Sequence, residues 1–412
     1  MPLFDANDAT YDVVGNDGPV FYVRTNKDAP KFRVIAVTLS TPGPESWKTV
    51  VPEGADALEA LDLLGNRFVA SYLHDAHSVV KLFTVAGRPA GEIPLPAVGT
   101  VTQLRGRRVD SQIFYGFTSF LYPPTVFRYD VRTGKNEVFR SPKVDFDPSA
   151  YETKEVFYPS KDGTRVPMFL TYRKGIKLDG QNPTLVYAYG GFNISVTPSF
   201  SVGNLVWLEH GGIYAQPSLR GGGEYGEVWH QAGMKEKKQN VFDDFIAAGE
   251  YLIKEGYTST PKLAISGASN GGLLVGAALT QRPDLYAVAL PAVGVMDMLR
   301  YHKFTIGWAW ATEYGSSDDP AAFKYLYAYS PLQNLKPGTC YPATMVTTAD
   351  HDDRVVPGHS FKFAATLQAD QACDKPTIIR VETKAGHGGG KPTSKQIEEL
   401  ADAFAFTFRN LH

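Results

Sequence analysis

Gly267-Ala268-Ser269-Asn270-Gly271 sets a serine between two glycines, each two residues away. The run Lys262-Leu263-Ala264-Ile265-Ser266 precedes it, and Leu273-Leu274-Val275-Gly276-Ala277-Ala278 follows. G-x-S-x-G between a strand and a helix is the pattern of a nucleophile elbow, a strained turn where a Cβ two residues to either side would strike neighbouring backbone. An elbow serine needs a base and a carboxylate, in the chain order Ser, Asp, His. Downstream, Thr344–Thr348 runs into Ala349-Asp350-His351-Asp352-Asp353-Arg354, and Arg380-Val381-Glu382 leads to Ala385-Gly386-His387-Gly388. Both polar loops follow strands, where an open α/β sheet gathers its active-site groups. His387 is therefore predicted to accept the Ser269 proton. Asp350, Asp352 and Asp353 all remain open as its orienting carboxylate. His74 and His77 lie in a strand-rich region, and His210, His302 and His359 do not end strands, so these read as surface or packing groups.

The elements that would hold these groups begin near residue 150. Thr184–Tyr189, Lys262–Ser266, Thr344–Thr348 and Thr377–Val381 read as buried strands. Between the first two, a helix with Asn240 as N-cap carries Phe242, Phe245, Ile246, Leu252 and Ile253 on one stripe and stops at Gly256. The last helix opens on a Thr393–Gln396 capping-box spacing and places Ile397, Leu400, Phe404, Phe408 and Leu411 on one face. Alternation of this kind means a parallel sheet covered on both faces. Before residue 150 the pattern is different. Short β-branched and aromatic runs recur at 19–24, 32–37, 47–51, 67–72, 79–83, 91–95, 112–117, 125–129 and 136–139, separated by Asn, Asp, Gly and Pro. Groups of about 45 to 50 residues match the period of propeller blades. The expected organisation is an incomplete β-propeller of about three blades over 1–145 and an α/β domain over 146–412.

Composition narrows the partners. Of 412 residues, 43% are hydrophobic and 20% charged, and 41 Lys and Arg balance 43 Asp and Glu. A net charge of −2 gives no electrostatic reason to expect nucleic acid or an anionic membrane. No apolar run is long enough to span a bilayer, and the start lacks a secretory pattern, so a cytoplasmic location is expected. Cys340 and Cys373 are too few for a disulfide framework or a zinc site and are expected as free thiols. No metal constellation appears, and no cofactor is implied.

Longer stretches carry a resemblance. Tyr187-Ala188-Tyr189-Gly190-Gly191-Phe192-Asn193, Arg220-Gly221-Gly222-Gly223-Glu224-Tyr225-Gly226, Ser269-Asn270-Gly271-Gly272 and Asp350-His351-Asp352-Asp353-Arg354-Val355-Val356-Pro357 stand in one order. With Thr383-Lys384-Ala385-Gly386-His387-Gly388, they make the chain similar to the prolyl oligopeptidase family. These are serine peptidases with an α/β-hydrolase domain capped by a propeller. The resemblance implies Asp352 as the triad carboxylate, and Tyr189 with the Asn270 amide as the oxyanion hole. It implies Trp310 as the ring that stacks on a substrate proline, with Phe192, Val295, Tyr314 and Val355 as apolar walls. Arg354 would bind a substrate carbonyl. The substrates implied are short proline-containing peptides cut on the carboxyl side of proline. A related oligopeptidase, a serine esterase or an inactive remnant are the competing readings. Relative to the family, the N-terminal segment and first blades are expected to be missing. Either that segment or a second chain would complete the propeller, and without it the site should be open to longer peptides.

Overall fold

The computed structural model describes residues 3–412. Two compact units emerge, one running to Pro148 with 197–201 and 223–229, the other formed by 149–196, 202–222 and 230–412. The first unit holds three four-stranded antiparallel sheets, each a meander of consecutive strands. They are β1 to β4 (Tyr11–Asp17, Val20–Thr25, Arg33–Thr38, Lys48–Val51), β5 to β8 (Ala57–Leu64, Arg67–His74, His77–Thr84, Pro89–Ile93) and β9 to β12 (Thr100–Gly106, Gln112–Ser119, Tyr122–Asp130, Asn136–Arg140). Face-to-face packing joins neighbours. Tyr22, Val34 and Val51 meet Leu58, Leu61, Phe68 and Tyr72 between the first two sheets. Val69, Val80 and Leu82 meet Ile113, Tyr115 and Phe127 between the second and third. The last three strands of every sheet fall where the apolar runs place them, while β1, β5 and β9 do not announce themselves. β1 and β9 are mostly half-buried or exposed, so they lack an apolar alternation. β5 is Ala-Leu-Glu-Ala-Leu-Asp-Leu-Leu, a string of helix formers made a strand by its pairing to β6.

The second unit is built on one sheet of eight strands, ordered β13-β14-β16-β15-β17-β18-β19-β20. The strands are Tyr151–Pro159, Arg165–Arg173, Thr184–Tyr187, Ile213–Pro217, Leu263–Ala268, Val288–Ala292, Ala343–Ala349 and Thr377–Glu382 in chain order from β13. β13, β14 and β16 pair antiparallel, and every pair from β16 to β20 is parallel. All seven residues of β19 and all five of β16 are buried, which requires cover on both faces. The chain's helices are α1 (Val202–Glu209), α2 (Glu227–Gln231), α3 (Gln239–Lys254), α4 (Asn270–Gln281), α5 (Ala311–Tyr314), α6 (Pro320–Tyr329), α7 (Gly358–Asp370) and α8 (Thr393–Asn410). α8 lays Phe404 and Phe408 on Trp207 of α1, with ring centroids 5.7 and 4.8 Å apart, while Ile397 stays exposed.

Both helix starts differ from expectation. Lys238 already has helical angles and α3 begins at Gln239, so Asn240 lies inside the helix, and its amide donates to Ala232 O at 2.8 Å. The turn at 235–237 feeds the helix directly and leaves no extended residue to serve as cap. At α8, Pro392 takes the cap position and Thr393 is the first helical residue, so the capping-box frame is out by one. Gly256 does end α3, in the left-handed region at φ 76°.

Cys340 and Cys373, expected to be free, are bonded to each other, with Cα atoms 5.2 Å apart. Thr339 and Gln371 form an isolated parallel bridge, and the Ala372 amide donates to Thr339 O at 3.0 Å, which brings the following side chains together. Two cysteines in a composition carry no information about such a local pairing. The bond closes a 33-residue separation, worth roughly 3–4 kcal/mol on chain-entropy grounds. Cys340→Ser/Cys373→Ser protein is expected to lose about 2–4 kcal/mol in urea unfolding. Alkylation of unreduced, denatured wild type should label neither cysteine; two labelled thiols would show that the bond is not there.

Candidate active site

Four strands of the parallel sheet, β15 beside β17 and β19 beside β20 with β18 between the two pairs, deliver the chemistry from their C-terminal ends. Tyr189 follows β15, Ser269 follows β17, the 350–354 loop follows β19 and His387 follows β20. Ser269 sits at φ 60°, ψ −117°, a conformation that a residue with a Cβ adopts only under compulsion. The surrounding glycines make it feasible. A Cβ on Gly271 would lie 2.7 Å from Ala188 O, one on Gly272 would lie 2.5 Å from Ala292 O, and one on Gly267 would collide with the Gly271 carbonyl. The Ser269 amide is anchored to Ala292 O at 2.9 Å, and α4 starts one residue later. The Asn270 amide is thus the first of that helix and has no intrahelical acceptor, leaving it free for an anion.

Geometry distinguishes the three aspartates that the sequence leaves open. Asp352 Oδ2 is 2.7 Å from His387 Nδ1, while its Oδ1 accepts the amides of Arg354 at 3.0 Å and Val355 at 2.9 Å. The Asp352 side chain is fully buried. Asp350 turns to His351 Nδ1 at 2.6 Å, a contact that with backbone donors lowers its carboxyl to about 2, and Asp353 is exposed. With Nδ1 committed to Asp352, His387 keeps Nε2 for a proton. Burial raises the Tyr189 pKa, against smaller opposing effects that include Arg354 and Ser269, so the phenol keeps its proton. A direct Ser269–His387 hydrogen bond is not among those formed by the described residues; such contacts commonly tighten only on substrate.

The aromatic residues form one cluster. Trp310 stacks on Tyr301 with centroids 6.3 Å apart and planes 10° from parallel. Tyr301 meets Tyr314 edge-on at 5.3 Å, and Phe192 meets Tyr314 edge-on at 5.3 Å. Val295 and Val355 are buried, Phe192 half-buried, and the Arg354 side chain exposed. Phe192 is held at φ 58°, its amide donating to Glu313 Oε1 at 2.8 Å, while Glu313 Oε2 lies 2.8 Å from His230 Nε2. Sequence reasoning missed Tyr301, Glu313, His230 and Lys238. Lys238 is the clearest case, because Lys235-Glu236-Lys237-Lys238 reads as a solvated charge run, yet Lys238 is buried. His359 is also buried, its Nδ1 accepting the Asp297 amide at 3.1 Å, and desolvation lowers its pKa to about 4. Asp297 in turn holds Lys362.

Residues 198–412 match the model of the prolyl oligopeptidase family, and residues 1–142 match its N-terminal beta-propeller domain. The chain belongs to the prolyl oligopeptidase family. It is 52% identical over 407 residues to a prolyl endopeptidase of Elizabethkingia meningoseptica, covering 98% of this chain and 58% of that protein. Prolyl oligopeptidase A of Amanita bisporigera is 42% identical over 414 residues, or 54% of its length. Among solved structures, one from a study of two prolyl endopeptidases superposes with TM-score 0.96 at 45% identity, over 99% of this chain and 60% of that one. Prolyl oligopeptidase B of Galerina marginata, bound to a 35mer hydrolysis and macrocyclization substrate, gives 0.95 at 38% identity, over 99% and 58%. The chain therefore spans between half and two thirds of the length of these relatives. Among the described residues, no helix is long and apolar enough to cross a membrane, and no three ligands cluster for a metal.

Two outcomes follow from this geometry. Asp352→Asn should slow turnover by about 10⁴-fold, the scale seen when a triad carboxylate is lost, whereas Asp353→Asn and Asp350→Asn should stay within a few-fold. Equal damage from Asp353→Asn would contradict the assignment to Asp352. The second concerns pH. His359 is neutral when folded and protonates near 6.5 when unfolded, so its contribution is intact above pH 6.5. It drains as pH falls toward about 4, by on the order of 3 kcal/mol. Urea midpoints should drop over that window in wild type and less in His359→Gln; identical slopes would rule His359 out as the source.

Proposed function

We propose that the chain is a serine peptidase that cuts short peptides on the carboxyl side of proline, with Ser269 as nucleophile, His387 as general base and then acid, and Asp352 orienting His387. The observation that carries the reading is the 2.7 Å Asp352–His387 contact at the strand ends beside a serine locked in the left-handed elbow. His387 Nε2 takes the Ser269 proton as Oγ attacks the scissile carbonyl. The oxygen that becomes negative meets the Asn270 amide and the Tyr189 hydroxyl, and each such donor is worth roughly 3 kcal/mol in the transition state. His387 then returns its proton to the leaving amine, the acyl-enzyme C–O bond remains, and a water activated by the same imidazole releases the acid.

Trp310 supports the proline preference. A flat indole backed by Tyr301, in one aromatic cluster with Tyr314 and Phe192, suits a rigid pyrrolidine ring that brings no N–H to be satisfied, with Val295 and Val355 as the apolar walls that the resemblance implies. In this reading Arg354 holds a substrate carbonyl, supported by its exposure and by a charge close enough to lower the Tyr189 pKa. The relatives named prolyl endopeptidase support the same specificity.

A blocked Gly-Pro chromogenic substrate should be hydrolysed in preference to a blocked Arg substrate and a plain ester. Trp310→Ala should cut kcat/KM on the proline substrate about 10- to 100-fold, the weight of one buried aromatic contact, and leave ester hydrolysis within a few-fold. Equal loss on both substrates would remove Trp310 from the specificity pocket. Folded protein that turns over none of the three would overturn the function itself.

A further inference from the structure

We propose that Lys238 is a positioning residue that locks the two halves of the oxyanion site together, acting through Asn270 and the Gly190 carbonyl rather than on substrate. This rests on the reading of Ser269 as nucleophile and goes beyond it by assigning a role to a residue outside the triad, the oxyanion donors and the pocket.

The oxyanion donors come from separate pieces of chain. The Tyr189 hydroxyl is presented by the turn after β15, and the Asn270 amide by the start of α4. Beyond the β15–β17 pairing that ends at Tyr187 and Ser266, their register rests on contacts between the two turns. The Asn270 side chain reaches across, its Nδ2 donating to Tyr189 O at 2.6 Å. Its Oδ1 is taken by two donors, the Tyr314 hydroxyl at 2.8 Å and Lys238 Nζ at 3.1 Å. Lys238 Nζ also donates to Gly190 O at 2.7 Å, so one ammonium ties the residue after Tyr189 to the residue after Ser269. The Lys238 side chain passes over the Tyr314 ring, with Nζ 5.4 Å from its centroid.

Lys238 is 1% exposed, yet among the described residues no carboxylate touches its ammonium. Desolvation lowers its pKa to about 8, opposed by the charge of Glu313. A lysine tolerated at this cost fits a demand for positive charge at the spot. Both of its acceptors belong to the oxyanion turns, and its ammonium lies over an aromatic ring, which a cation favours. Asn270 is fixed from three sides as a result, and the direction of its backbone amide with it. A small displacement of such donors can cost about 10²-fold in rate.

The test compares wild type with Lys238→Met, Tyr189→Phe and the double variant, after thermal melts show that each is folded. Three rates are read: kcat and KM on the blocked Gly-Pro substrate, ester hydrolysis, and the second-order rate of Ser269 labelling by a fluorophosphonate. Lys238→Met should lower kcat and the labelling rate about 10- to 100-fold, with KM within about threefold. The double variant should lose much less than the product of the two single losses, because both act on one oxyanion site. Activity within twofold of wild type, or losses that multiply, would overturn the proposal. Should Lys238→Met not fold, Tyr314→Phe takes its place: it removes the other donor to Asn270 Oδ1 while keeping the ring, and the same coupling to Tyr189→Phe is expected. The arms separate the readings. Protein that is labelled and cleaves the ester but not the Gly-Pro substrate loses the proline specificity while the Lys238 comparison proceeds. Wild type that is neither labelled nor active would overturn both.

Discussion

The left-handed conformation of Ser269 is the constraint to which the rest of the α/β unit answers. A residue bearing a Cβ at φ 60° is held there only if the strand before it and the helix after it are both fixed. β17 is fixed by β15 and β18 on either side, through parallel pairing along its length. α4 is fixed by burial of ten of its twelve residues. The glycines at 267, 271 and 272 then let backbone approach backbone where any side chain would intrude. Loosen either element and the serine can relax to an ordinary turn, where its amide would leave Ala292 O and its neighbour's amide would no longer face the same space.

The carboxylate illustrates a different kind of control. Asp352 has two oxygens with separate duties: one accepts two backbone amides of its own loop, and the other faces His387. The first duty fixes the side chain in the absence of substrate, so the second is ready without reorganisation. Burial excludes water that would compete for the imidazole N–H. Asp350, two residues earlier, has similar neighbours in sequence but faces outward and satisfies His351 instead. What distinguishes the two is direction, set by the turn after β19.

That distinction explains what could be read from the chain in advance. Strands whose residues are buried on both faces betray themselves as apolar runs, and a G-x-S-x-G between such a run and a helix names its own serine. Three of the four strands in each blade are equally legible, because one face packs against the next sheet. β1 and β9 are not, since their side chains do little burying, and β5 is written in residues that favour helix. Among Asp350, Asp352 and Asp353, periodicity has nothing to separate them; likeness to the family pointed to Asp352, and the hydrogen bonds to Arg354 and Val355 supply the physical reason. Helix starts at 239 and 393 escaped because a cap residue works only if the chain before it is extended in the right way. The Cys340–Cys373 bond depends on a single backbone bridge far from either element's pattern.

Charge placement was the least legible layer, and it is where the site departs most from surface rules. Lys238, Glu313 and His230 would each pass for a solvated residue in the sequence, yet each is buried or nearly so. Glu313 spends one oxygen on the Phe192 amide and the other on His230, and Lys238 spends its donors on Gly190 and Asn270. The two opposite charges do not form a contact pair. Kept apart, the anion holds the far end of that turn, which carries Phe192 toward the aromatic pocket. The cation holds the near end, which carries Tyr189 toward the serine. One turn thus carries both Tyr189 and Phe192, and opposite buried charges grip its two ends.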